Sequence, residues 1–158
     1  MIYKLVENNT DIKDVEMMAS IIWPIAYKDI LSTSQIKYML NKYLSIDAIK
    51  NNIDNDNYTY IVLYNDENNK IGFIGYQLND DNLFLSKLYI LPNHQNKGYA
   101  SMAISYLRQF ELPITLTVNK NNKNAYLKYI HLGFKVIDSV VTNIGNDFVM
   151  DDYVMELK

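Results

Sequence analysis

The chain has 158 residues, of which 49% are hydrophobic and 13% aromatic, a composition that supports a folded core and argues against disorder. It contains no cysteine, which excludes disulfides and thiolate chemistry, and its net charge of −3 gives no electrostatic support for binding nucleic acid. No apolar run approaches the ~20 residues of a membrane span, and the first residues do not resemble a signal peptide. We expect one domain, 1–158, located in the cytoplasm and with no membrane partner.

The amino-terminal third of the chain predicts one short strand followed by three helices. Ile2–Val6 is the strand, and the helices show apolar residues at a 3.6-residue period. Pro24 is expected to end or kink the first helix because proline removes an intrahelical hydrogen bond. Each helix is preceded by a polar side chain that can accept from its first turn. The expected caps are Thr10 or Asp11, then Ser32 in a capping box with Gln35, and finally Ser45.

From Tyr58 onward the pattern changes to apolar and β-branched runs separated by polar turns. The first three runs follow one another through short turns, which predicts an antiparallel meander. Helical periods then alternate with further strands, so the whole order reads β-ααα-βββ-α-β-α-ββ and indicates a mixed α/β (α+β) fold. The predicted strands are 58–64, 71–78, 83–91, 114–118, 134–142 and 148–157, and the predicted helices are 98–110 and 122–132. The turn before the last strand is expected at 144–147.

The stretch 88–107 joins a strand to a helix through a polar turn that contains one glycine. Pro92 and Asn93 break the strand, and the turn from Gln95 to Ala100 leads directly into helical periodicity. Several backbone N–H groups at such a helix start lack partners, and the helix dipole adds roughly half a positive charge. Lys97 adds a full charge. The turn is therefore a candidate anion site, with an ordinary strand-to-helix connection as the alternative.

A second motif covers residues 122–134, which read NKNAYLKYIHLGF. Asn122, Ala125 and Tyr129 lie at positions i, i+3 and i+7 and share one helix face over about two turns, roughly 10 Å. A side-chain amide, a small residue and a phenol would therefore line one wall of a site. The alternative is that the tyrosines of this helix are simply half-buried aromatic residues.

Both motifs resemble the GNAT superfamily of N-acetyltransferases. Q-x-x-G-x-A, from Gln95 to Ala100 after an L-Y-I strand, resembles its acyl-CoA pyrophosphate loop, and N-x-x-A-x-x-x-Y-x-x-x-G-F, from Asn122 to Phe134, resembles its second conserved segment. The order of elements is also similar. The resemblance implies a mixed, mostly antiparallel central sheet of about seven strands, flanked by helices. In that fold a bulged strand before the loop splays from its neighbour and opens a V-shaped cleft.

The resemblance implies acetyl-CoA (coenzyme A) as the cofactor and assigns residues to it. The pantetheine arm would lie along the strand before the loop, and the pyrophosphate would sit on the backbone N–H groups of the turn. Tyr129 would protonate the departing thiolate as general acid. The expected cofactor-binding residues are Leu88, Tyr89, Ile90, Gln95, Asn96, Lys97, Gly98, Tyr99, Ala100, Ser101, Asn122 and Ala125.

The expected general base is missing from its usual strands. The family often places a glutamate where this chain has Phe84, Ser86 or Thr117. Presenting an alkyl amine of pKa ~10.4 in neutral form near pH 7.4 costs about 4 kcal/mol, whereas an α-amine costs less than about 1 kcal/mol. The sequence therefore favours a low-pKa amine, or proton removal through water held by Ser86 or Thr117. Asp151 or Asp152 on the last strand is the remaining source of a carboxylate.

Trp23 and Tyr27, where the first helix breaks, could wall the acceptor site or be ordinary core aromatics. His94 and His131 lack metal-ligand spacing and are expected to be solvated, so no metal site is predicted. The sequence thus predicts an acetyl-CoA-dependent N-acetyltransferase in which a primary amine attacks directly in a ternary complex. A non-catalytic acyl-CoA-binding or sensing module is the alternative. The acceptor, a small molecule or a protein N-terminus, is left open, as is a homodimer.

Overall fold

A computed structural model describes all 158 residues and contains seven strands in one sheet together with five α-helices. Short 3-10 helices follow β4 at Pro92–His94 and α4 at Arg108–Phe110. None of the helices combines the length and apolarity needed to cross a membrane. In chain order the elements are β1 (Ile2–Leu5), α1 (Asn9–Ala26), α2 (Thr33–Leu44), α3 (Ile46–Asn55), β2 (Tyr58–Tyr64), β3 (Lys70–Leu78), β4 (Leu83–Ile90), α4 (Tyr99–Leu107), β5 (Ile114–Asn119), α5 (Lys123–His131), β6 (Lys135–Gly145) and β7 (Phe148–Leu157).

The sheet has the strand order β1-β2-β3-β4-β5-β7-β6. Every neighbouring pair is antiparallel except β4 and β5, which run parallel. The α4 crossover connects these two parallel strands, because a parallel pair cannot be joined by a tight turn. The predicted fold, a mixed and mostly antiparallel sheet of about seven strands flanked by helices, is confirmed.

Each face of the sheet carries its own hydrophobic core. Helices α1, α2 and α3 cover one face with a cluster of 16 buried residues, and α4 with α5 covers the other with a cluster of 17, so the central strands are buried on both sides. Strand β3 shows the alternation directly: Phe73 belongs to the first core and Ile74 to the second.

Two of the predicted helix caps are confirmed. Ser32 accepts from the Gln35 N–H at 3.1 Å, and Ser45 accepts from the Ala48 N–H at 3.2 Å. The Gln35 side chain does not complete the capping box, because its amide donates to the Val149 carbonyl at 3.1 Å and ties α2 to β7 instead. The predicted cap of the first helix is wrong.

The start of α1 lies two or three residues earlier than expected. Asn8 is the cap, and its side chain accepts from the Asp11 N–H at 2.9 Å. Thr10 and Asp11 lie inside the first turn. Pro24 does not end the helix, which continues to Ala26. Proline removes only one hydrogen bond here, and the carbonyl left without a donor belongs to Ser20, an exposed residue that water can reach.

The later boundaries differ from prediction mainly at helix and turn ends. Strands β2 and β7 match the predicted ranges, whereas α4 ends at Leu107 and only a 3-10 turn continues to Phe110. Strand β6 extends through Gly145, so the last turn narrows to Asn146 and Asp147, both at positive φ. Positive φ permits the tight reversal that a short hairpin needs.

A bulge in β4 and the divergence of β4 from β5 create the cleft that the sequence could only anticipate. Gly75 of β3 pairs with Lys87, but the next residue, Tyr76, pairs with Leu85, so Ser86 has no partner. Strands β4 and β5 pair only at Leu83–Ile114 and Phe84–Thr115 and then separate. The facing edges of both strands beyond these pairs are free of ladder hydrogen bonds.

Candidate active site

The opening between β4 and β5 is a cleft of about 1120 Å³. Its walls come from α1, β4, the loop before α4, β5, α5 and the β6–β7 hairpin. The cleft brings together nearly all the residues that the sequence singled out. These are Trp23, Tyr27, Ser86, Leu88, Tyr89, Ile90, Gln95, Asn96, Gly98, Tyr99, Ala100, Ser101, Thr117, Asn122, Ala125 and Tyr129. Lys97 is the exception, since it is exposed and does not line the cleft.

The loop before α4 presents backbone donors to the cleft. Gly98 caps the helix in the left-handed region at φ +83°, and the Met102 N–H is the first of the helix to donate back, to the Gly98 carbonyl at 3.1 Å. The preceding N–H groups of the first turn therefore lack helical acceptors. A Cβ at Gly98 would meet no atom within 4 Å, so open space lies beside these donors. This arrangement suits an anion such as a phosphate.

Gln95 and His94 have roles in this loop that the sequence did not predict in detail. The Gln95 amide donates to the Ile90 carbonyl at 3.0 Å and so fixes the loop to the end of β4. His94, expected to be solvated, is half-buried, lines the cleft and has a buried Nδ1 without a hydrogen-bond partner. The expectation for His94 was wrong because the 3-10 turn at 92–94 folds the residue inward.

The opposite wall is formed by α5. Asn122 is the cap of this helix rather than part of its first turn, and its Oδ1 accepts from the Ala125 N–H at 3.2 Å, which leaves the Nδ2 donors free. The Tyr129 ring packs edge-on against Phe134 with centroids 5.4 Å apart, and its hydroxyl makes no hydrogen bond within the chain. Burial, and secondly the Tyr27 phenol, raises the pKa of Tyr129, so the group stays protonated at neutral pH.

The bulge in β4 turns two consecutive side chains toward the α1–α3 face. Ser86 Oγ accepts from the Tyr58 hydroxyl at 3.2 Å and from Lys87 Nζ at 2.8 Å, and Lys87 Nζ lies 5.1 Å and 5.9 Å from the Tyr58 and Tyr60 ring centroids. Lys87 is only 8% exposed, and burial lowers its pKa to about 8. Sequence reasoning missed Lys87, and no local signal points to it, because strict alternation would place it on the other face.

Three aromatic rings form the wall on the α1 side. Trp23 and Tyr27 have ring centroids 4.8 Å apart, Trp23 and Tyr89 5.7 Å apart, and the Tyr27 and Tyr89 hydroxyls share a hydrogen bond of 3.2 Å. Trp23 and Tyr27 belong to the buried core and also line the cleft. A place in the core is therefore compatible with a place in the wall of the cleft. The indole Nε1 of Trp23 is buried without a partner.

Of the two aspartates on β7, only Asp152 faces the cleft. Asp151 is exposed and pairs with Lys120 at 2.8 Å. Asp152 is 9% exposed, lines the cleft, and has an Oδ1 with no partner. Burial, reinforced by the charge of Asp151, raises the pKa of Asp152 to about 6. The two residues are adjacent, so the strand's alternation sends them to opposite faces.

Comparison with known proteins agrees with this geometry. The acetyltransferase (GNAT) family model matches residues 16–134, most of the chain. The chain belongs to the GNAT family. Its relatives include uncharacterized N-acetyltransferases of Staphylococcus aureus, 35% identical over 60 residues, and of Staphylococcus haemolyticus, 41% identical over 44 residues. These alignments cover 38% and 28% of this chain, and 39% and 30% of the respective relatives.

Solved structures share the GNAT fold along the whole chain. A PaiA N-acetyltransferase from Thermoplasma acidophilum, in complex with coenzyme A, superposes with a TM-score of 0.78 at 20% identity and covers 100% of this chain and 99% of that one. A spermidine N-acetyltransferase from Vibrio cholerae, described as dodecameric, has a TM-score of 0.66 at 19% identity and covers 99% and 92% of the two chains. At these identities the likeness establishes the fold.

The GNAT family uses acetyl-CoA, which agrees with the expected cofactor. The residues of the cleft suit that group. Free N–H donors at the start of α4 match a pyrophosphate, and the open space beside Gly98 leaves room for it. The unpaired edge of β4 beyond Phe84 can bond an extended amide chain as a neighbouring strand would.

Proposed function

We propose that this chain transfers an acetyl group from acetyl-CoA to a primary amine by direct attack in a ternary complex. The observation that carries the proposal is the placement of two features on one cleft: the unpaired N–H groups that begin α4 and the protonated phenol of Tyr129 on α5. The first can hold a pyrophosphate, and the second can supply a proton to a leaving thiolate. The absence of cysteine excludes a cysteinyl acyl-enzyme and agrees with direct attack.

The cofactor would be held along β4 and the start of α4. The pyrophosphate would accept from the backbone N–H groups of 96–101, and the pantetheine arm would lie beside 88–90. Asn122 has free Nδ2 donors for a pantetheine amide, and Ala125 leaves space beside them. Lys97 would contribute its backbone N–H and a nearby positive charge rather than a direct contact. Acetyl-CoA, when bound, supplies an acetyl group activated as a thioester.

The contribution of the chain itself to the reaction is positioning, polarisation and one proton. Holding amine and thioester together replaces an encounter between two free molecules, which accounts for much of the barrier reduction in such reactions. The Leu91 N–H donates to Ile71 on β3, so the alternation of an antiparallel ladder directs the Leu88 N–H away from β3 and toward the cleft. The Leu88 N–H would therefore be the backbone donor to the acetyl carbonyl. Tyr129 protonates the sulfur.

The acceptor would enter on the α1 side, where Trp23 and Tyr27 form an aromatic wall and Ser86 and Thr117 supply hydroxyls. Aromatic faces attract an ammonium group, which suits an amine acceptor. The spermidine N-acetyltransferase among the structural neighbours acts on such a molecule. A small amine and a protein N-terminus both fit the proposal.

A thiol-release assay with acetyl-CoA and three amines of different class tests the function. Spermidine, propylamine and glycylglycine cover a polyamine, a simple alkyl amine and an α-amine. We expect thiol release with at least one of them. Calorimetric binding of acetyl-CoA without thiol release would instead favour a non-catalytic module, and the absence of binding would contradict the proposal altogether.

The assignment of Tyr129 is tested by Tyr129→Phe. We expect turnover to fall by about 10²-fold or more, the usual effect of losing a general acid, with nearly unchanged acetyl-CoA affinity in calorimetry. Tyr126→Phe is the matched control on the same helix, because the Tyr126 ring packs against Tyr153 with centroids 5.5 Å apart and does not line the cleft. An unchanged turnover number in Tyr129→Phe would remove Tyr129 from the role.

A further inference from the structure

Three buried side-chain polar atoms in the structure have no hydrogen-bond partner: Trp23 Nε1, His94 Nδ1 and Asp152 Oδ1. All three residues line the cleft. Buried polar atoms in folded proteins are nearly always paired, so a group of exceptions at one place indicates atoms that are completed by a ligand. Asp152 is the only carboxylate among them, and it is nine-tenths buried.

We propose that Asp152 is the proton acceptor for the attacking amine. This inference rests on the acetyl transfer proposed above and supplies the carboxylate that is missing at Ser86 and Thr117. Asp152 reaches the acceptor side of the cleft from β7, where it pairs with Asn119 of β5 and Val140 of β6. The base would therefore act from β7, the strand that pairs with β5 on the side away from β4.

The groups around Asp152 leave its carboxylate free to take a proton. From α1 and β4 it faces the phenols of Tyr27 and Tyr89. Burial raises the pKa of both phenols, and the charge of Asp152 adds to the rise. The nearby cation, Lys120, forms its ion pair with Asp151 and only modestly opposes the upward shift. With a pKa of about 6, Asp152 is mostly ionised at pH 7, close to the value at which a general base is most effective.

The proton balance of the step is complete with the residues of the cleft. The attacking nitrogen of the ammonium passes one proton to Asp152 and forms a bond to the acetyl carbonyl carbon. The carbon–sulfur bond breaks with its electron pair on sulfur, which takes the phenolic proton of Tyr129. A second proton from the nitrogen restores the phenol, and Asp152 releases its proton to solvent. Ammonium and thioester thus give amide, thiol and one proton.

Asp152→Asn tests this role, with Asp151→Asn as the matched control on the same strand. Using whichever of spermidine, propylamine and glycylglycine the wild type acetylates best, we expect kcat/KM at pH 7 to fall by about 10²-fold or more in Asp152→Asn. In the wild type, kcat/KM should fall tenfold per pH unit below about pH 6, and this break near pH 6 should be absent from Asp152→Asn, whose rate follows only the fraction of neutral amine. Asp151→Asn should keep the rate at pH 7 and should show the same break at a somewhat lower pH, because the charge of Asp151 helps to raise the pKa of Asp152.

A readout without substrate separates this role from a structural one. Trp23 is the only tryptophan and belongs to the same cleft, so its fluorescence can report the titration of Asp152 in the free protein. We expect an inflection near pH 6 in the wild type and at a somewhat lower pH in Asp151→Asn, and no such inflection in Asp152→Asn. The Tm of Asp152→Asn at pH 7 should equal or exceed that of the wild type, because a buried charge without a partner has been removed.

The outcomes distinguish the two proposals. A wild type without thiol release from any amine overturns both. An active wild type with unchanged kcat/KM in Asp152→Asn overturns the role of Asp152 and leaves the acetyl transfer standing. A break near pH 6 or a fluorescence inflection that persists in Asp152→Asn assigns the titration to another group and also overturns the inference.

Discussion

Replacing Lys87 with methionine should stabilise the protein at neutral pH and lose that effect in alkaline solution. Lys87 has no carboxylate partner; its ammonium donates only to Ser86 Oγ and lies over the Tyr58 and Tyr60 rings. Burial lowers its pKa from 10.5 to about 8. Methionine has a similar length and can fill the same space without a charge.

The magnitude follows from the two pKa values. Below pH 8 the lysine is charged in both the folded and the unfolded chain, and the lowered pKa then corresponds to about 3 kcal/mol of lost stability. Between pH 8 and 10.5 the folded chain loses its proton first and this penalty disappears. The lost hydrogen bond to Ser86 offsets about 1 kcal/mol at every pH. Lys87→Met should therefore gain about 2 kcal/mol at pH 7 and nothing at pH 10.

Urea unfolding of wild type and Lys87→Met at pH 7 and pH 10 measures this difference. Tyrosine titration at pH 10 affects both proteins and cancels in the comparison. Lys50→Met, at an exposed position of α3, is the control and should change stability by less than about 0.5 kcal/mol at both pH values. An equal stability change for Lys87→Met at the two pH values, or a loss of stability at pH 7, would refute the reasoning.

Three further substitutions test the loop, the core and a helix cap. Gly98→Ala places a side chain at φ +83°, which costs about 1–2 kcal/mol in the loop that would hold the pyrophosphate. Calorimetry should therefore show an affinity for acetyl-CoA at least tenfold weaker than that of the wild type. An unchanged affinity would contradict the assignment of this loop to the cofactor. Leu107 of α4 is fully buried, so Leu107→Ala should lower the free energy of unfolding by about 2–5 kcal/mol. A loss below about 1 kcal/mol would mean that α4 does not pack against the sheet at this residue. Ser45→Ala removes the cap on the Ala48 N–H and should cost about 1 kcal/mol, whereas Ser34→Ala, an exposed residue inside α2, should cost less.

The elements of this fold were predictable where local spacing decides the structure. Strands β2 and β7 occupy the predicted ranges, and Ser32 and Ser45 are caps, because each depends on a few neighbouring residues. Helix starts with several polar candidates were less certain, so Asn8 was missed in favour of Thr10 or Asp11. Of the two outcomes expected at Pro24, the end of the helix does not occur, because a helix packed on a core tolerates the loss of one exposed hydrogen bond.

The same division applies to the site. The loop from Gln95 to Ala100 and the face of α5 that carries Tyr129 follow from spacing along one segment, and the sequence determined both. Strand register decides which of Asp151 and Asp152 enters the cleft. One unpaired residue in β4 lets Ser86 and Lys87 share a face of the sheet. Register is set by pairing between segments distant in the chain, and the pKa values of Lys87 and Asp152 are set by the neighbours that bury them. Only the tertiary structure could decide these.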